Sequence, residues 1–429
     1  MSEPLSFFDP FASRKDVGND IRFGAPPSES LLPVTGQGII AVSSSAKVQI
    51  LFVINCPKKS QNNLYLQIGA AEISLSFGPS MTRTESIPTK LIQQESACYL
   101  NPGVQTTYWL SIDGPNGVLR YGKYYTNKSM TLLEATLKKE EKPGVPVWIS
   151  SEYSWLADLK DVDIVTTESA AYTKVIIHPL PVVIELSPFI ISSQDASLPD
   201  LNQGKYAIPV NLPQACQVLY GNVAGPNIIL DTPAFPDFSA AIERSVSTPG
   251  LWGHTKLMEK STEFGSTPNF EGTYLRITIG HNLGDSPGIP FVLEIWPAGH
   301  YSPIHDHGNA CAVIKVLHGE ITARFFDALT AQGGPHMIGH NAITLKKDMV
   351  TWLGENDYQV HQLRNTSLEV CCTIQCYRYP DDNDKHYEGF NYIEEGETDG
   401  KEKLFIPNSD MAFEEFWATM KAEWDSRKR

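Results

Sequence analysis

The stretch Ser302–Glu320, SPIHDHGNACAVIKVLHGE, decides how the second half of this 429-residue chain is read. His305 and His307 stand two apart, and residues two apart on a strand share a face, so both imidazoles can approach one metal ion. Gly299 precedes His305 by six residues, and Gly319 closes the strand pair that follows His307. Barrel metal sites with this opening place a carboxylate about seven residues before the turn glycine. Here that slot holds Ala312, and its neighbour is Cys311. A third candidate ligand is His361 in HQLRN, followed four residues later by Asn365. Three neutral imidazoles leave a divalent metal with its whole charge and with open positions. A substrate thiolate is the natural counter-charge, because coordination lowers the thiol pKa. Imidazoles suit zinc, copper, nickel and iron alike, so spacing leaves the metal open.

Composition narrows the class. A formal charge of -15 without a Lys/Arg cluster before the last few residues argues against a nucleic-acid partner. The N-terminus MSEPLSFFDPFASRKD lacks a basic start followed by an apolar run, and no segment approaches 18 uncharged apolar residues, so neither secretion nor a membrane span is expected. The seven cysteines are an odd number without a zinc-like Cys-x-x-Cys pair and read as reduced thiols of a cytoplasmic protein. Only His178 lies in the first half of the chain, with the other ten histidines from His254 onward, which places the chemistry in the second half.

Length predicts about two domains. After an N-terminal tail, 1–30, the segment 31–190 carries short β-rich runs separated by Gly, Pro, Asn and Ser, the pattern of a β-sandwich. TTYWLSIDGPNGVLRYGKYY is its clearest hairpin, with Asp113-Gly114 and Asn116-Gly117 at the turn. Residues 191–231, polar and Pro-containing, read as a connector. From 232 to 429, FSAAIERSVST reads as an amphipathic helix, followed by closely spaced strands of a small antiparallel barrel. The chain ends in a helix that Ser409 or Asp410 could cap.

The motifs from Gly299 to Gly319 and at His361–Asn365 resemble those of a cupin barrel without its Glu. More narrowly, WPAGHYSPIHDHG, Trp296–Gly308, resembles the iron-site strand pair of cysteine dioxygenase, a thiol dioxygenase of the cupin superfamily. The likeness extends over most of residues 232 to 400. It implies a mainly β protein whose C-terminal part is a double-stranded β-helix (jelly-roll) barrel. It implies Fe(II) on His305, His307 and His361, with Tyr274 and Arg276 of YLRITI at the substrate carboxylate and Tyr377 of IQCYRYP as the active-site tyrosine. A guanidinium suits that carboxylate role on physical grounds, because it binds a carboxylate bidentately. The implied reaction is oxidation of L-cysteine by O2 to cysteine sulfinic acid, on the route of cysteine metabolism to taurine. Alternatives are another small thiol such as 3-mercaptopropionate, or a catalytically impaired iron-binding, thiol-sensing cupin. Trp109, Ile112, Asp113 and Tyr121-Gly122 resemble the β-sandwich module named after farnesoic acid methyltransferase, which leaves a protein or carbohydrate partner open for the first domain.

The sequence departs from the dioxygenase pattern at three positions. Ala312 stands where many animal members carry a cysteine cross-linked to the tyrosine, Gln375 where the family has a histidine, and Thr373 where it has a serine. Because adjacent strand residues face opposite sides, Cys311 is expected to point away from the metal and to form no thioether with Tyr377. Asp306, between the ligands, is expected to tie the barrel together, and His300 and His318 to be structural.

Overall fold

A computed structural model describes residues 15–17, 28–57, 62–137, 152–166, 175–183, 185–280, 291–326, 329, 342–379, 389–394 and 402–427. The protein is mainly β with a few short helices and divides into two compact units, 1–185 and 186–429. Among the described residues, no helix is long and apolar enough to cross a membrane.

The first unit is built from two facing antiparallel sheets. One is centred on Gln37–Ser44, Thr106–Asp113 and Val118–Lys123, the other on Gln49–Ile54, Asn63–Gly69 and Ile73–Ser80. Alternation along each strand sends Ile40, Val42, Phe52, Ile54, Leu64 and Leu110 into one shared core. The expected hairpin forms, with Val118 opposite Asp113. Its turn is fixed locally: the Asp113 carboxylate accepts from Asn116, and Gly117 takes a positive φ of 63°.

The second unit also has two facing sheets. In the first, Cys371–Arg378 lies between Cys311–His318 and Phe291–Trp296, and Phe291–Trp296 pairs in turn with Leu275–Ile279. Met411–Ala412 runs parallel along the outer side of Leu275–Ile279. In the second sheet, Val360–Arg364 lies between Glu320–Phe326 and Ile304–His305, and Ile304–His305 pairs with Phe390–Ile393. Trp296, Val316 and Cys371 meet Ile321, Phe325 and Leu363 between the two sheets. The other face of the first sheet is covered by helices Gln214–Val223, Phe238–Ser247 and Phe413–Ser426.

Two expectations are corrected here. Residues 191–231 are no connector: Phe189–Ile190 pairs with Val350–Leu353, and Leu212, Cys216, Leu219 and Val223 are fully buried in the core of the second unit. The last three lie on the helix Gln214–Val223 at spacings of three and four residues, the stripe by which a helix buries one face. The boundary therefore falls at 185/186 instead of near Asp231. The last helix, Phe413–Ser426, is not capped by Ser409 or Asp410, since its N-cap position is Ala412 with no side-chain cap. Asp410 is engaged elsewhere. Its backbone N–H donates to the Arg276 carbonyl at 2.8 Å, and its carboxylate accepts from the Arg276 N–H at 2.7 Å and from Lys260 Nζ at 3.0 Å.

Candidate metal centre

A period of two along three adjacent strands aims side chains at one place. Leu275, Ile277, Leu293, Ile295, Ile374 and Cys376 point to the helices. Their neighbours Tyr274, Arg276, Glu294, Trp296, Gln375 and Tyr377 point the other way and line a small recess. His305, His307 and His361 form its floor, and Phe390 and Phe405 help to wall it.

The three histidines are buried and their candidate ligand atoms lie within 4.8 Å of one another. Cross-strand pairing sets His305 opposite His361. Ring centroids are 4.8 Å apart for His305 and His307, 4.9 Å for His305 and His361, and 4.7 Å for His307 and His361. Burial pushes the His305 pKa down to about 4. Burial, then repulsion from the neighbouring histidines, holds His307 and His361 well below the ordinary imidazole value. All three are thus neutral near pH 7. The His305 Nδ1–H donates to the Pro303 carbonyl at 3.0 Å and the His307 Nδ1–H to the Gln359 carbonyl at 3.2 Å. That fixes the tautomer which leaves Nε2 as the lone-pair atom. His361 is held by a bond to the Tyr358 backbone. The donor set therefore fits a divalent metal: three neutral, oriented imidazoles and no carboxylate among the clustered groups.

Gln359 organises the loop around His307. Besides its backbone bond, its side chain accepts from the Asn309 N–H at 3.0 Å and donates to the Ala310 and Gly354 carbonyls at 2.8 and 2.6 Å. Asn365, the polar end of HQLRN, is fully buried and ties the Trp296 and Glu369 carbonyls together, each at 2.8 Å. Asp306 Oδ1 accepts from the Asn391 N–H at 3.1 Å and from the Gly308 N–H at 3.4 Å. His300 is buried against the Thr273 carbonyl at 2.8 Å, and its ring packs edge-on to Phe270. His281, His336, His340 and His386 fall outside the described residues.

All six residues singled out from the sequence line this one recess: Tyr274, Arg276, His305, His307, His361 and Tyr377. The sequence reading missed Glu294. Cross-strand register puts Glu294 opposite Arg276 on one side and opposite Thr373 on the other. The Arg276 Nη1–H donates to Glu294 Oε1 in a buried ion pair, and the guanidinium also meets the Tyr274 and Tyr377 hydroxyls. Glu294 Oε2 accepts from Gln375 Nε2, and Gln375 Oε1 accepts from the Tyr377 hydroxyl. Arg276, Glu294, Gln375 and Tyr377 thus form a closed ring of hydrogen bonds. Burial raises the Glu294 pKa against the pull of Arg276 and Lys260. Burial alone would lower the Arg276 pKa, but Glu294 and the two tyrosines more than reverse this, so the guanidinium stays charged. Burial, followed by the Glu294 carboxylate, also raises Tyr377, which stays a protonated donor. Tyr274 stacks on Trp296 with centroids 4.1 Å apart, which fixes the wall beside Arg276.

Cys311 lies on the other face. It is buried in the helix-side core, where it hydrogen-bonds the Cys216 thiol, and Ala312 takes the inward position opposite Tyr377.

Comparison with known proteins agrees with this geometry at one segment. Residues 281–388 match the family model described as cysteine dioxygenase type I. Solved structures similar to part of the chain include the cupin domain of Schizosaccharomyces pombe Cnp3 (14% identity, 25% of this chain and 65% of that one, TM-score 0.20). An oxalate oxidase in complex with the substrate analogue glycolate matches at 14% identity over 27% of this chain and 53% of that one, TM-score 0.20. A cupin 2 domain-containing protein from Halorhodospira halophila matches at 16% identity over 37% of this chain and 83% of that one, TM-score 0.20. The chain thus spans less than two thirds of the length of the first two structures. Tyr274 and Arg276 lie just upstream of the matched segment, and it is residues 281–388, with His305, His307, His361 and Tyr377, that match the cysteine dioxygenase type I family.

Proposed function

We propose that the second unit is a non-haem Fe(II) thiol dioxygenase, in which His305, His307 and His361 hold the iron and a small thiol is oxidised by O2 to its sulfinate. The observation that carries this reading is the convergence, in a buried recess, of three neutral, oriented imidazoles whose cluster, among the described residues, includes no carboxylate. Bound Fe(II) would supply acidification of the thiol and a place for O2 beside the sulfur. The balance is one thiol and one O2 giving one sulfinic acid, with both oxygen atoms on sulfur.

The chain's own groups do the rest. Pro303, Gln359 and Tyr358 hold the imidazoles in their ligating orientation through backbone atoms. Tyr377, protonated and anchored on Gln375, presents a hydroxyl beside His307, its ring stacked at 6.0 Å between centroids. It can hold a proton at its oxygen next to the reacting sulfur. Trp296, Phe390 and Phe405 give the recess its apolar wall.

L-cysteine, giving cysteine sulfinic acid, is the substrate named by the family that residues 281–388 match. A second reading, a different small thiol, is favoured by one observation: the guanidinium that would take the cysteine carboxylate is already paired with Glu294. The test is O2 consumption by the anaerobically Fe(II)-loaded full chain over a panel of small thiols, with mass spectrometry of the product. Thiol-dependent O2 uptake with a product two oxygen atoms heavier is expected. Full iron occupancy with no uptake on any thiol would refute the enzyme reading and leave an iron-binding module.

A further inference from the structure

The recess contains an acid that a carboxylate-binding site has no use for. Glu294 enters from the middle of Phe291–Trp296, is almost fully buried, and spends both oxygens inside the recess, one on Arg276 and the other on Gln375. It does not belong to the histidine cluster that could hold a metal. The Arg276 guanidinium also hydrogen-bonds Tyr274 and Tyr377. The guanidinium that would clamp a substrate carboxylate therefore already neutralises a carboxylate of the chain itself, through one N–H, and meets two tyrosine hydroxyls as well. A substrate bringing a second carboxylate would have to set two like charges against one guanidinium, or displace Glu294 into a wall that offers it no solvent. An amino group meets the opposite situation, since Glu294 is an acceptor for an ammonium. The indole N–H of Trp296, which lines the same recess, is buried without a partner and offers a neutral donor.

We propose that Glu294 is a specificity-determining residue that closes the Arg276 site to free carboxylates, so that the thiol taken here is a small aminothiol without a carboxylate. The inference rests on the thiol-dioxygenase reading of the histidine site. It differs from cysteine and from 3-mercaptopropionate as substrates in the same way, since both carry the group that Glu294 excludes. It also gives Gln375 a role: a neutral amide can donate to Glu294 and accept from Tyr377 at once, which completes the ring around the occupied guanidinium.

The test is direct binding, free of turnover. The full chain is loaded with Co(II) under anaerobic conditions and titrated with cysteamine, L-cysteine and 3-mercaptopropionate, and the thiolate-to-metal charge-transfer absorption is followed. In the wild type, cysteamine should bind at least about 10-fold more tightly than either carboxylate thiol. Glu294→Gln keeps the shape, frees the guanidinium, and should tighten L-cysteine by about 10- to 100-fold while weakening cysteamine. The wild-type ratio needs no variant, so the inference stays exposed even if Glu294→Gln folds poorly. L-cysteine binding as tightly as cysteamine to the wild type would overturn the inference and leave the thiol-dioxygenase reading standing. A charge-transfer band with none of the thiols in Co(II)-loaded protein would overturn both.

Discussion

The pairing of Arg276 with Glu294 can be weighed by a double-mutant cycle on stability. The two side chains are 8% and 3% exposed, so neither charge is relieved by solvent. Breaking such a pair from one side strands the other charge and costs about 3–5 kcal/mol. Arg276→Met and Glu294→Leu should each destabilise the second unit by that amount. If the effects were additive, the double variant would lose roughly 6–10 kcal/mol. It should instead lose only about 1–3 kcal/mol, because it strands no ion. What remains is the cost of Gln375 Nε2, which keeps only a long bond to Thr373 Oγ1 at 3.4 Å, and of the two tyrosine hydroxyls that face Arg276. Native-state hydrogen exchange of the Phe291–Trp296 amides reads this free energy for the second unit by itself, avoiding the assumption that both units unfold in one step. The Arg276→Met variant carries a pH signature as well. Burial already raises the Glu294 pKa, and the loss of Arg276 removes its largest opposing influence. The folded variant then holds a proton that the unfolded chain releases, so its stability is greatest at acidic pH and declines as pH rises through the folded-state value, by at most about 1.4 kcal/mol per pH unit. A double variant as unstable as the sum of the singles, or an Arg276→Met variant that gains stability with rising pH, would refute the pair.

Three further outcomes are expected. His305→Ala and His307→Ala should each abolish stoichiometric metal binding in elemental analysis of anaerobically prepared protein, and full occupancy surviving both changes would exclude the histidine site. Peptide mass spectrometry should recover Cys311 and Tyr377 in separate peptides with unmodified masses, since Cys311 faces Cys216; a cross-linked peptide would mean that the strand register is wrong. A chain beginning at Leu186 should keep metal, whereas one beginning near Pro233 should unfold or aggregate. The latter lacks Leu212, Leu219 and Val223, each worth about 1.5–3 kcal/mol of burial, and the strand Phe189–Ile190. Equal metal content and equal protection from proteolysis in both would place the boundary back near Asp231.

The histidines were legible because their chemistry is local: an alternating pair on a strand, and a third histidine with its own polar landmark at Asn365. Tyr274, Arg276 and Tyr377 were legible through resemblance, and the period of two brings them to the same recess. Glu294 escaped because its meaning is not local. In FVLEIW it is one acidic residue in an apolar strand, and what it touches depends on the register between Leu275–Ile279 and Phe291–Trp296, which the intervening residues do not reveal. The available signal was its parity with Trp296, two residues on, in a strand too apolar to tolerate an idle acid. The 191–231 segment was misread for the opposite reason: its Pro and polar residues dominate the composition, while the helical stripe Cys216, Leu219, Val223 is thin. The capping role expected of Asp410 failed because a short carboxylate near a helix start can serve any nearby N–H, and that of Arg276 was the one in reach.

That last contact has a consequence for how the protein is made. Among the described residues, the strand bearing Arg276 is paired on its outer edge with Met411–Ala412 and clipped by Asp410, more than a hundred residues downstream. His305, His307, His361 and Tyr377 all leave the ribosome before those residues do. A nascent chain therefore brings out its three clustered histidines while the strand bearing Arg276 still presents bare N–H and C=O groups, an invitation to pair with another unfinished chain. Translation that stalls between Tyr377 and Asp410 would leave the edge of that strand unpaired and the recess wall behind it unsupported.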